Sequence, residues 1–343
     1  MKIIITGITG FIGSNLARKL LDKGHEVYGL TRHVTGRSLQ TIEDIKDKVK
    51  LMSCNVTEFN SVKECVQKVN PDVIFHLAAL SPVRLSFEHP FEFQKINYIG
   101  TINIAEVLRE LYGPEKVRLI VASTAEVYGI QERVPFKEDL KLEASSPYAV
   151  SKVAMDSYMR MLFKVYDFNG VIMRNSNTFG RRHDNSFFTE YLISKMLKKE
   201  DIYIGAEDST RDYMFVDDHV NGYILAMETP EAKGNIFNVA GKQGYSNKEW
   251  VTKIAKQLDF PLDKVHFGEY PPGYPVRPLK SDQPYLVLDT AKAEAILGWR
   301  QSITLEEGLD KTIGYVKTGL FKEKTKILSD TQLMQIKKIL ESN

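Results

Sequence analysis

Two short stretches in the middle of the chain carry residues suited to acid–base chemistry. Tyr148 and Lys152 in "YAVSK" are four residues apart, so a helix would place both side chains on one face. A lysine in that position is expected to lower the pKa of the tyrosine, and the phenol could then act as an acid or a base near neutral pH. This spacing is common by chance, so the pair needs support from its surroundings.

The second stretch is "STAEVYG", residues 123 to 129, which follows the apolar run "VRLIVA". It places the hydroxyl of Thr124 and the carboxylate of Glu126 where a buried strand is predicted to end. Two interpretations of Glu126 remain open at this point. Its carboxylate could remove a proton from a substrate, or it could only cap or salt-bridge a loop.

A glycine motif opens the chain, between the first predicted strand and the first predicted helix. In "TGITGFIG", Gly7 permits a tight turn, Gly10 allows close approach of a pyrophosphate, and Gly13 allows close packing of the helix. The helix N-terminus adds unpaired N–H groups and a positive dipole end. The motif therefore predicts dinucleotide binding, and Lys152 could then hold a nicotinamide ribose.

The end of the second predicted strand indicates which dinucleotide is bound. An NAD site usually has an acidic residue there, whereas the 2′-phosphate of NADP is met by arginine. The sequence "HEVYGL" runs into "TRHVTGR", which has no carboxylate but contains Arg32 and Arg37. We therefore expect NADP, with NAD as the alternative if these arginines are only solvated loop residues.

The rest of the chain must position these residues, and its pattern is that of an α/β protein. Strand-like and helix-like segments alternate, which is typical of a doubly wound parallel sheet of the Rossmann type with helices on both faces. We predict a Rossmann domain over residues 1–174 and a smaller C-terminal α/β lobe over 175–316, including "IFNVAG" and "YLVLD" as short strands. Residues 317–343 are predicted to form a helical tail. The predicted strands of the first domain are "KIIITG", "HEVYGL", "VKLMSC", "DVIFHLAA", "VRLIVAS" and "NGVIMR".

Composition excludes several classes of protein. The 343 residues carry a formal charge of only +2, far from the basic excess expected of a nucleic-acid binder. No apolar run is long enough for a membrane span, and no signal peptide is recognisable at the N-terminus. Cys54 and Cys65 lack metal-site spacing and are expected to be buried thiols in a reducing compartment. These features predict a soluble cytoplasmic protein that contacts neither nucleic acid nor membrane.

Taken in order, the motifs resemble those of the extended short-chain dehydrogenase/reductases that modify nucleotide sugars. The resemblance runs to about residue 316 and implies a Rossmann domain, a sugar-nucleotide-binding lobe, a tightly held nicotinamide cofactor and a homodimer or dimer of dimers. The segments that carry it are "TGITGFIG", "HLAA", "STAEVYG", "YAVSK", "RNSNTFG", "RDYMFVDD" and "LDTAKAEAILGWRQSITLEEGL".

Roles follow from this resemblance residue by residue. Tyr148 would be the base toward the sugar 4-hydroxyl, Thr124 would bond the same oxygen, and Asn97 would support the site, while His76 is expected to be structural. The implied cofactor site comprises Gly7, Thr9, Gly10, Phe11, Ile12, Gly13, Arg32, Asn55, Val56, Leu77, Ala78, Ala79, Tyr148 and Lys152. The implied substrate site comprises Ser81, Thr124, Asn177, Arg211 and Arg277, with the arginines suited to a diphosphate.

The chain departs from the family pattern at three places. Asn55 stands where many relatives have an aspartate that bonds the adenine. The stretch "RPLKSD" is two residues longer than the usual "RPxD", so Lys280 could share the phosphate contact of Arg277. Ala125 stands where the dehydratases of the family have Asp or Ser before the glutamate. Ala125 leaves the protonation of a departing hydroxyl to Glu126 or to another residue.

Four functions can be weighed on these residues. Glu126 and the ending "YGLTRHVTGR" favour a nucleotide-sugar 4,6-dehydratase resembling the GDP-mannose 4,6-dehydratases, as does "SPVRLSFEHP". A 4-epimerase of the UDP-glucose type is the first alternative, since it needs Tyr148 but no carboxylate at position 126. An NADPH-dependent reductase of a 4-keto-6-deoxy sugar nucleotide is the second. A non-enzymatic dinucleotide sensor would be expected to lack Tyr148 or Lys152, and both are present.

Overall fold

Thirteen strands lie within the described part of the chain, which in this computed structural model comprises residues 1–32, 34, 37–182, 184–270, 278 and 281–318. They are β1 (Lys2–Thr6), β2 (Glu26–Thr31), β3 (Lys50–Ser53), β4 (Val73–His76), β5 (Arg118–Thr124), β6 (Gly170–Asn175), β7 (Asn177–Phe179), β8 (Ile202–Ile204), β9 (Thr210–Phe215), β10 (Asn235–Val239), β11 (Gly244–Ser246), β12 (Val265–Phe267) and β13 (Tyr285–Leu286).

The α-helices alternate with these strands over most of the chain. They are α1 (Phe11–Asp22), α2 (Phe59–Val69), α3 (Val83–Glu88), α4 (Pro90–Phe93), α5 (Gly100–Tyr112), α6 (Pro147–Tyr166), α7 (Phe188–Leu197), α8 (Val216–Glu228), α9 (Asn247–Gln257), α10 (Ala291–Leu297) and α11 (Leu305–Lys317). A π-helix, Gln94–Ile99, joins α4 to α5.

The main sheet has seven strands, all parallel, in the order β10-β6-β5-β4-β1-β2-β3. Strand β1 shows how the sequence produces this parallel sheet. Ile3 and Ile5 are buried in a core cluster with α1 and α8, whereas Ile4 is buried in the cluster on the opposite face with α2, α5 and α6. Alternate side chains therefore enter two different cores, which is why the strand is continuously apolar. The predicted Rossmann-type α/β fold is confirmed.

The six strands predicted in the first domain are all present, but one later strand lies elsewhere than expected. The segment "IFNVAG" contributes β10, which pairs with β6 at the edge of the main sheet rather than belonging to the second lobe. Its burial explains the position, because Phe237 and Val239 enter the core shared with α8 and α10. The division of the chain at residue 174 stays a prediction, and β6 itself ends at Asn175.

The remaining strands form a smaller unit of two sheets that are separate from the main sheet. Strand β9 lies between β11 and β13 and also pairs with β7, and β12 pairs with β8. Of the sequence predictions, Arg277, Lys280 and most of the tail beyond α11 lie outside the described residues. Among the helices that are described, none combines the length and apolar character needed to cross a bilayer.

A buried ion pair ties α6 to β6. The guanidinium of Arg174 donates to both carboxylate oxygens of Asp156, with both distances 2.9 Å, and both side chains are fully buried. Arg174 also donates to the hydroxyl of Tyr128 at 2.9 Å. Helix α6 carries Tyr148 and Lys152, so this pair fixes the helix on which the proposed acid–base residues lie.

Replacing Arg174 by leucine should lower the free energy of unfolding by about 3–5 kcal/mol, because it leaves the Asp156 carboxylate buried without its main partner. Chemical denaturation of the purified variant measures this. The control is Arg160→Leu, which removes a half-exposed arginine that bonds the same carboxylate at 3.1 Å and should cost less than about 1 kcal/mol. Equal losses in the two variants would contradict the account.

Candidate active site

Thr124 ends β5 and begins the turn that carries Glu126. The hydroxyl oxygen of Thr124 accepts a hydrogen bond from the Glu126 amide at 3.2 Å, so it caps a short 3-10 helix, Ala125–Tyr128. Within this turn Ala125 is buried in an apolar cluster with Phe136 and Leu286, whereas Glu126 is only partly buried. The small residue at 125 therefore packs into the core, and the carboxylate is the polar group that the turn presents.

Tyr148 and Lys152 lie on the first turns of α6, as predicted from their spacing. Ser146 caps the helix by accepting a hydrogen bond from the Ala149 amide at 3.1 Å, and Pro147 occupies the first helical position. The side chains of Tyr148 and Lys152 are buried, and the Thr124 hydroxyl is close enough to the Tyr148 phenol to lower its pKa in part. The structure thus brings together Thr124, Tyr148 and Lys152, with Glu126 close enough to influence the phenol.

The pKa of Tyr148 differs from the expectation drawn from the sequence. Burial raises the pKa of Tyr148 above its ordinary value, the hydrogen bond with Thr124 lowers it in part, and the Glu126 carboxylate raises it further. Burial lowers the pKa of Lys152 to about 8. The Lys152 ammonium donates to the Ala122 carbonyl at 2.7 Å. The predicted lowering of the tyrosine pKa by Lys152 is therefore not what this arrangement produces, because burial outweighs every other contribution.

The glycine motif forms a tight loop at the end of β1. Gly7 adopts a left-handed backbone with φ +70°, and a Cβ there would lie 2.9 Å from backbone atoms of Ala78. A Cβ on Gly13 would lie 2.3 Å from the Gly7 carbonyl oxygen. Helix α1 starts at Phe11, and no described side chain caps it, so its first N–H groups are available to an anion. These features fit a dinucleotide pyrophosphate.

The end of β4 forms the neighbouring wall of this site. The Thr6 hydroxyl oxygen accepts hydrogen bonds from the amides of Leu77 and Ala78, both at 3.1 Å, and lies 2.8 Å from Nδ1 of His76. Burial lowers the pKa of His76 to about 3, so the ring is neutral and structural, in agreement with its expected role. Leu77, Ala78 and Ala79 remain partly accessible beside the glycine loop.

Asn97 holds the chain that follows β4. Its amide accepts a hydrogen bond from the Leu80 amide at 2.8 Å and donates to the Leu80 carbonyl and the Ser151 hydroxyl, both at 3.0 Å. It thereby connects this segment to α6. Ser81, which follows directly, is exposed.

Asn55 has a structural task of its own at the end of β3. Its side-chain oxygen accepts hydrogen bonds from the amide and hydroxyl of Thr57, and its Nδ2 donates to Glu58 at 2.7 Å. The next residue, Val56, is buried, and its carbonyl accepts from Asn103. Asn55 therefore orders the turn, and its predicted contact with adenine stays a prediction.

Arg32 follows β2 and is exposed at the same edge of the sheet as the glycine loop. Its carbonyl accepts a hydrogen bond from the Ser53 hydroxyl at 3.3 Å, and the Gly7 amide donates to the neighbouring Leu30 carbonyl at 3.1 Å. The backbone at Arg32 is thus held close to the predicted ribose site.

The predicted diphosphate residues lie on two paired strands of the smaller unit. Asn177 is exposed on β7, and Arg211 is largely buried on the neighbouring β9. Arg211 forms an ion pair with Asp282 at 3.5 Å. Asp282 ends the "RPLKSD" stretch, so this stretch supplies a carboxylate that pairs with Arg211.

Two polar contacts near the site were not predicted from the sequence. Nε2 of Gln283 donates to Oε2 of Glu126 at 2.9 Å. Nδ2 of Asn175, at the end of β6, donates to the Tyr223 hydroxyl at 2.7 Å. Asn175 stands in the "RNSNTFG" segment, but the resemblance implied a role only for Asn177 there. Gln283 stands in no motif and reaches Glu126 only through tertiary packing, so no local signal could have identified it.

A family model described as GDP-mannose 4,6 dehydratase matches residues 4–312. Among curated proteins, the chain is 33% identical over 326 residues to a UDP-glucose 4-epimerase of Mycolicibacterium smegmatis, covering 92% of this chain and 99% of that protein. It is 29% identical over 282 residues to a GDP-mannose 4,6-dehydratase of Vibrio cholerae, covering 77% of this chain and 74% of that one.

Two solved structures of UDP-glucose 4-epimerases are similar to this chain. The UDP-glucose 4-epimerase of Thermotoga maritima, crystallised with UDP-glucose, superimposes with a TM-score of 0.82 at 25% identity and covers 93% of this chain and all of that one. The UDP-glucose 4-epimerase of Thermus thermophilus, in complex with NAD, has a TM-score of 0.80 at 26% identity, covering 92% of this chain and 99% of that one.

The buried ammonium of Lys152 should make stability depend on pH in a defined direction. Its folded-state pKa of about 8 lies below the ordinary value of 10.5, so burial of the charged form costs stability at low pH. Below pH 8, the free energy of unfolding of Lys152→Met should therefore be about 3 kcal/mol higher than that of the unmutated protein. This advantage should shrink between pH 8 and 10.5.

Denaturant unfolding across that pH range, without added ligands, measures the difference. Lys164→Met is the control, since Lys164 is an exposed lysine of the same helix. A Lys152→Met advantage that is independent of pH would contradict the assignment.

Proposed function

The chain belongs to the GDP-mannose 4,6-dehydratase family, and on that premise we propose that it catalyses the 4,6-dehydration of a nucleotide diphosphate sugar, with GDP-mannose as the leading candidate. It is an enzyme of the nucleotide-sugar dehydratase and epimerase group. The observation that carries the proposal is the position of the Glu126 carboxylate, held by the Thr124 cap beside the Tyr148 phenol.

The residues of this cluster divide the reaction between them. As its phenolate, Tyr148 takes the proton of the sugar 4-hydroxyl while Thr124 bonds the same oxygen. The positive charge of an oxidised nicotinamide would offset the burial that raises the pKa of Tyr148. The glycine loop and Lys152 would hold a nicotinamide cofactor, which would supply the hydride chemistry that links C4 and C6. The ketone at C4 acidifies the C5 hydrogen. Glu126 removes that proton and passes it to the departing C6 hydroxyl, so the C6–oxygen bond breaks and water leaves. The product has lost one water and carries a 4-keto group and a 6-methyl group.

A 4-epimerase is the second candidate, and the comparisons give a specific reason for it. The relative from Mycolicibacterium smegmatis and the structure from Thermotoga maritima both carry that name. Epimerisation uses the first half of the same chemistry, after which the keto sugar turns over and is reduced on its other face. It requires no carboxylate at position 126, so Glu126 separates the two candidates.

We propose NADP as the cofactor, held at the glycine loop with Arg32 toward the 2′-phosphate. The absence of a carboxylate at the end of β2 and the exposed arginine support this choice over NAD, which the Thermus thermophilus structure contains. Lys152 would hold the nicotinamide ribose. The substrate diphosphate would be bound by Arg211 and Asn177, with Ser81 toward the sugar and Arg277 as a further ligand.

The predicted homodimer or dimer of dimers also stays a proposal, and one surface supports it. Helix α6 exposes three apolar side chains along one face: Val150 at 48%, Met161 at 37% and Val165 at 61%. Their spacing places them on a single stripe that a second copy of the chain could cover.

Replacing Glu126 by glutamine tests the proposed reaction. The variant should lose the dehydratase activity by at least about 10²-fold, because the amide cannot accept the C5 proton. The mass of the product formed from GDP-mannose is the measurement. Glu143→Gln is the matched control, since its carboxylate is exposed and pairs with Lys141. A variant that still converts the sugar, with unchanged mass and altered retention, would favour the epimerase.

Replacing Arg32 by alanine tests the choice of cofactor. The variant should bind NADP about 10- to 100-fold more weakly, because a charge-assisted contact with the 2′-phosphate is lost, and should bind NAD nearly as well as before. Titration calorimetry with each dinucleotide measures both affinities. Arg300→Ala is the control, an exposed arginine outside the glycine-loop region. Equal loss of affinity for both dinucleotides would contradict the proposal.

A further inference from the structure

Gln283 is a polar residue through which the smaller unit contacts the Glu126 turn. Its side chain is almost fully buried, with 1% of its surface exposed. Nε2 lies 2.9 Å from Oε2 of Glu126, 3.4 Å from the Glu126 carbonyl oxygen and 3.0 Å from the hydroxyl oxygen of Ser145.

The orientation of this amide follows from its partners. A carboxylate and a backbone carbonyl can only accept hydrogen bonds, so the atom that faces both must be the NH₂ group of Gln283 rather than its oxygen. The contact is therefore a donation from a neutral amide to the carboxylate of Glu126.

The segment that carries Gln283 is itself held on both sides. Before it, the Ser281 amide and hydroxyl both donate to the Pro278 carbonyl, at 2.8 and 2.6 Å. After it, the Pro284 carbonyl accepts from the Thr210 amide at 2.8 Å, where β13 joins β9. The donor is thus fixed by backbone contacts that do not depend on the side chain of Gln283.

Glu126 is consequently held at two points. Thr124 bonds its backbone amide, and Gln283 bonds one oxygen of its carboxylate. A donor to one oxygen removes rotational freedom from the group and favours the charged form that accepts a proton. The hydrogen bonds of Gln283 go to Glu126 and Ser145, not to Tyr148 or Lys152.

We propose that Gln283 is a positioning residue for Glu126, which orients the carboxylate toward C5 of the sugar and keeps it ready to accept the proton. This inference rests on the proposed function. It assigns Gln283 to the second half of the reaction alone, after Tyr148 has taken part in oxidation at C4.

The test separates the two halves of the reaction in the full-length enzyme loaded with its dinucleotide. Gln283→Met keeps the length of the side chain but has no donor. With GDP-mannose, we expect kcat to fall about 10- to 100-fold while KM changes less than about threefold. In a single turnover, the absorbance of the reduced nicotinamide should appear at the unmutated rate and then persist. Exchange of the C5 hydrogen with deuterated water should be slowed as much as kcat.

Two further variants sharpen the result. Ser145→Ala removes the third partner of Nε2 and leaves the Glu126 contact, so it should change kcat less than about threefold. Gln283→Glu has a donor only when its carboxyl is protonated. Its activity should therefore be recovered in part as the pH falls, which a merely structural role would not produce.

Equal slowing of C4 oxidation and C5 exchange in Gln283→Met would overturn the inference, as would an unchanged kcat. Failure of the proposed function has a different signature. In that case the unmutated enzyme epimerises its substrate and Glu126→Gln stays active. If instead Glu126→Gln is inactive in dehydration while Gln283→Met and Gln283→Glu behave as the unmutated enzyme does, only the role of Gln283 is wrong.

Discussion

The site depends on the hydrogen bond by which Thr124 caps the turn after β5. Its hydroxyl oxygen accepts the amide of Glu126 at 3.2 Å, and the same hydroxyl is close enough to the phenol of Tyr148 to influence its pKa. One short side chain at the end of β5 therefore holds the turn that carries Glu126 beside the phenol on α6. The position of Thr124 is set in turn by pairing of β5 with β6, where Thr124 lies opposite Asn175.

The parallel sheet explains why dinucleotide and substrate groups meet. The carboxyl ends of β1, β4 and β5 lie side by side, so the glycine loop, the Leu77–Ala78 wall and the Thr124 turn share one edge. The smaller unit adds two polar contacts from consecutive residues, since Asp282 pairs with Arg211 and Gln283 bonds Glu126. The predicted diphosphate contact and the predicted base are thus linked by one short segment.

The parts of the fold and of the site that depend on a few neighbouring residues could be predicted from the sequence. The buried strands, the helical spacing of Tyr148 and Lys152 and the turn at Gly7 follow from apolar runs and backbone sterics. Strand β10 was expected among the segments of the C-terminal lobe, but it pairs with β6, because pairing between strands more than 60 residues apart leaves no trace in a short apolar segment. The pKa of Tyr148 was expected to fall, but burial, which depends on tertiary packing, raises it. Gln283 was missed for the same reason.

The central claim is that Glu126 acts at C5 after oxidation at C4. Deuterium placed at C4 of the nucleotide sugar tests it most directly, with mass spectrometry and NMR of the product. The account predicts a product that has lost one water and carries the deuterium at C6. A product of unchanged mass with the deuterium still at C4 and inverted configuration there would contradict it.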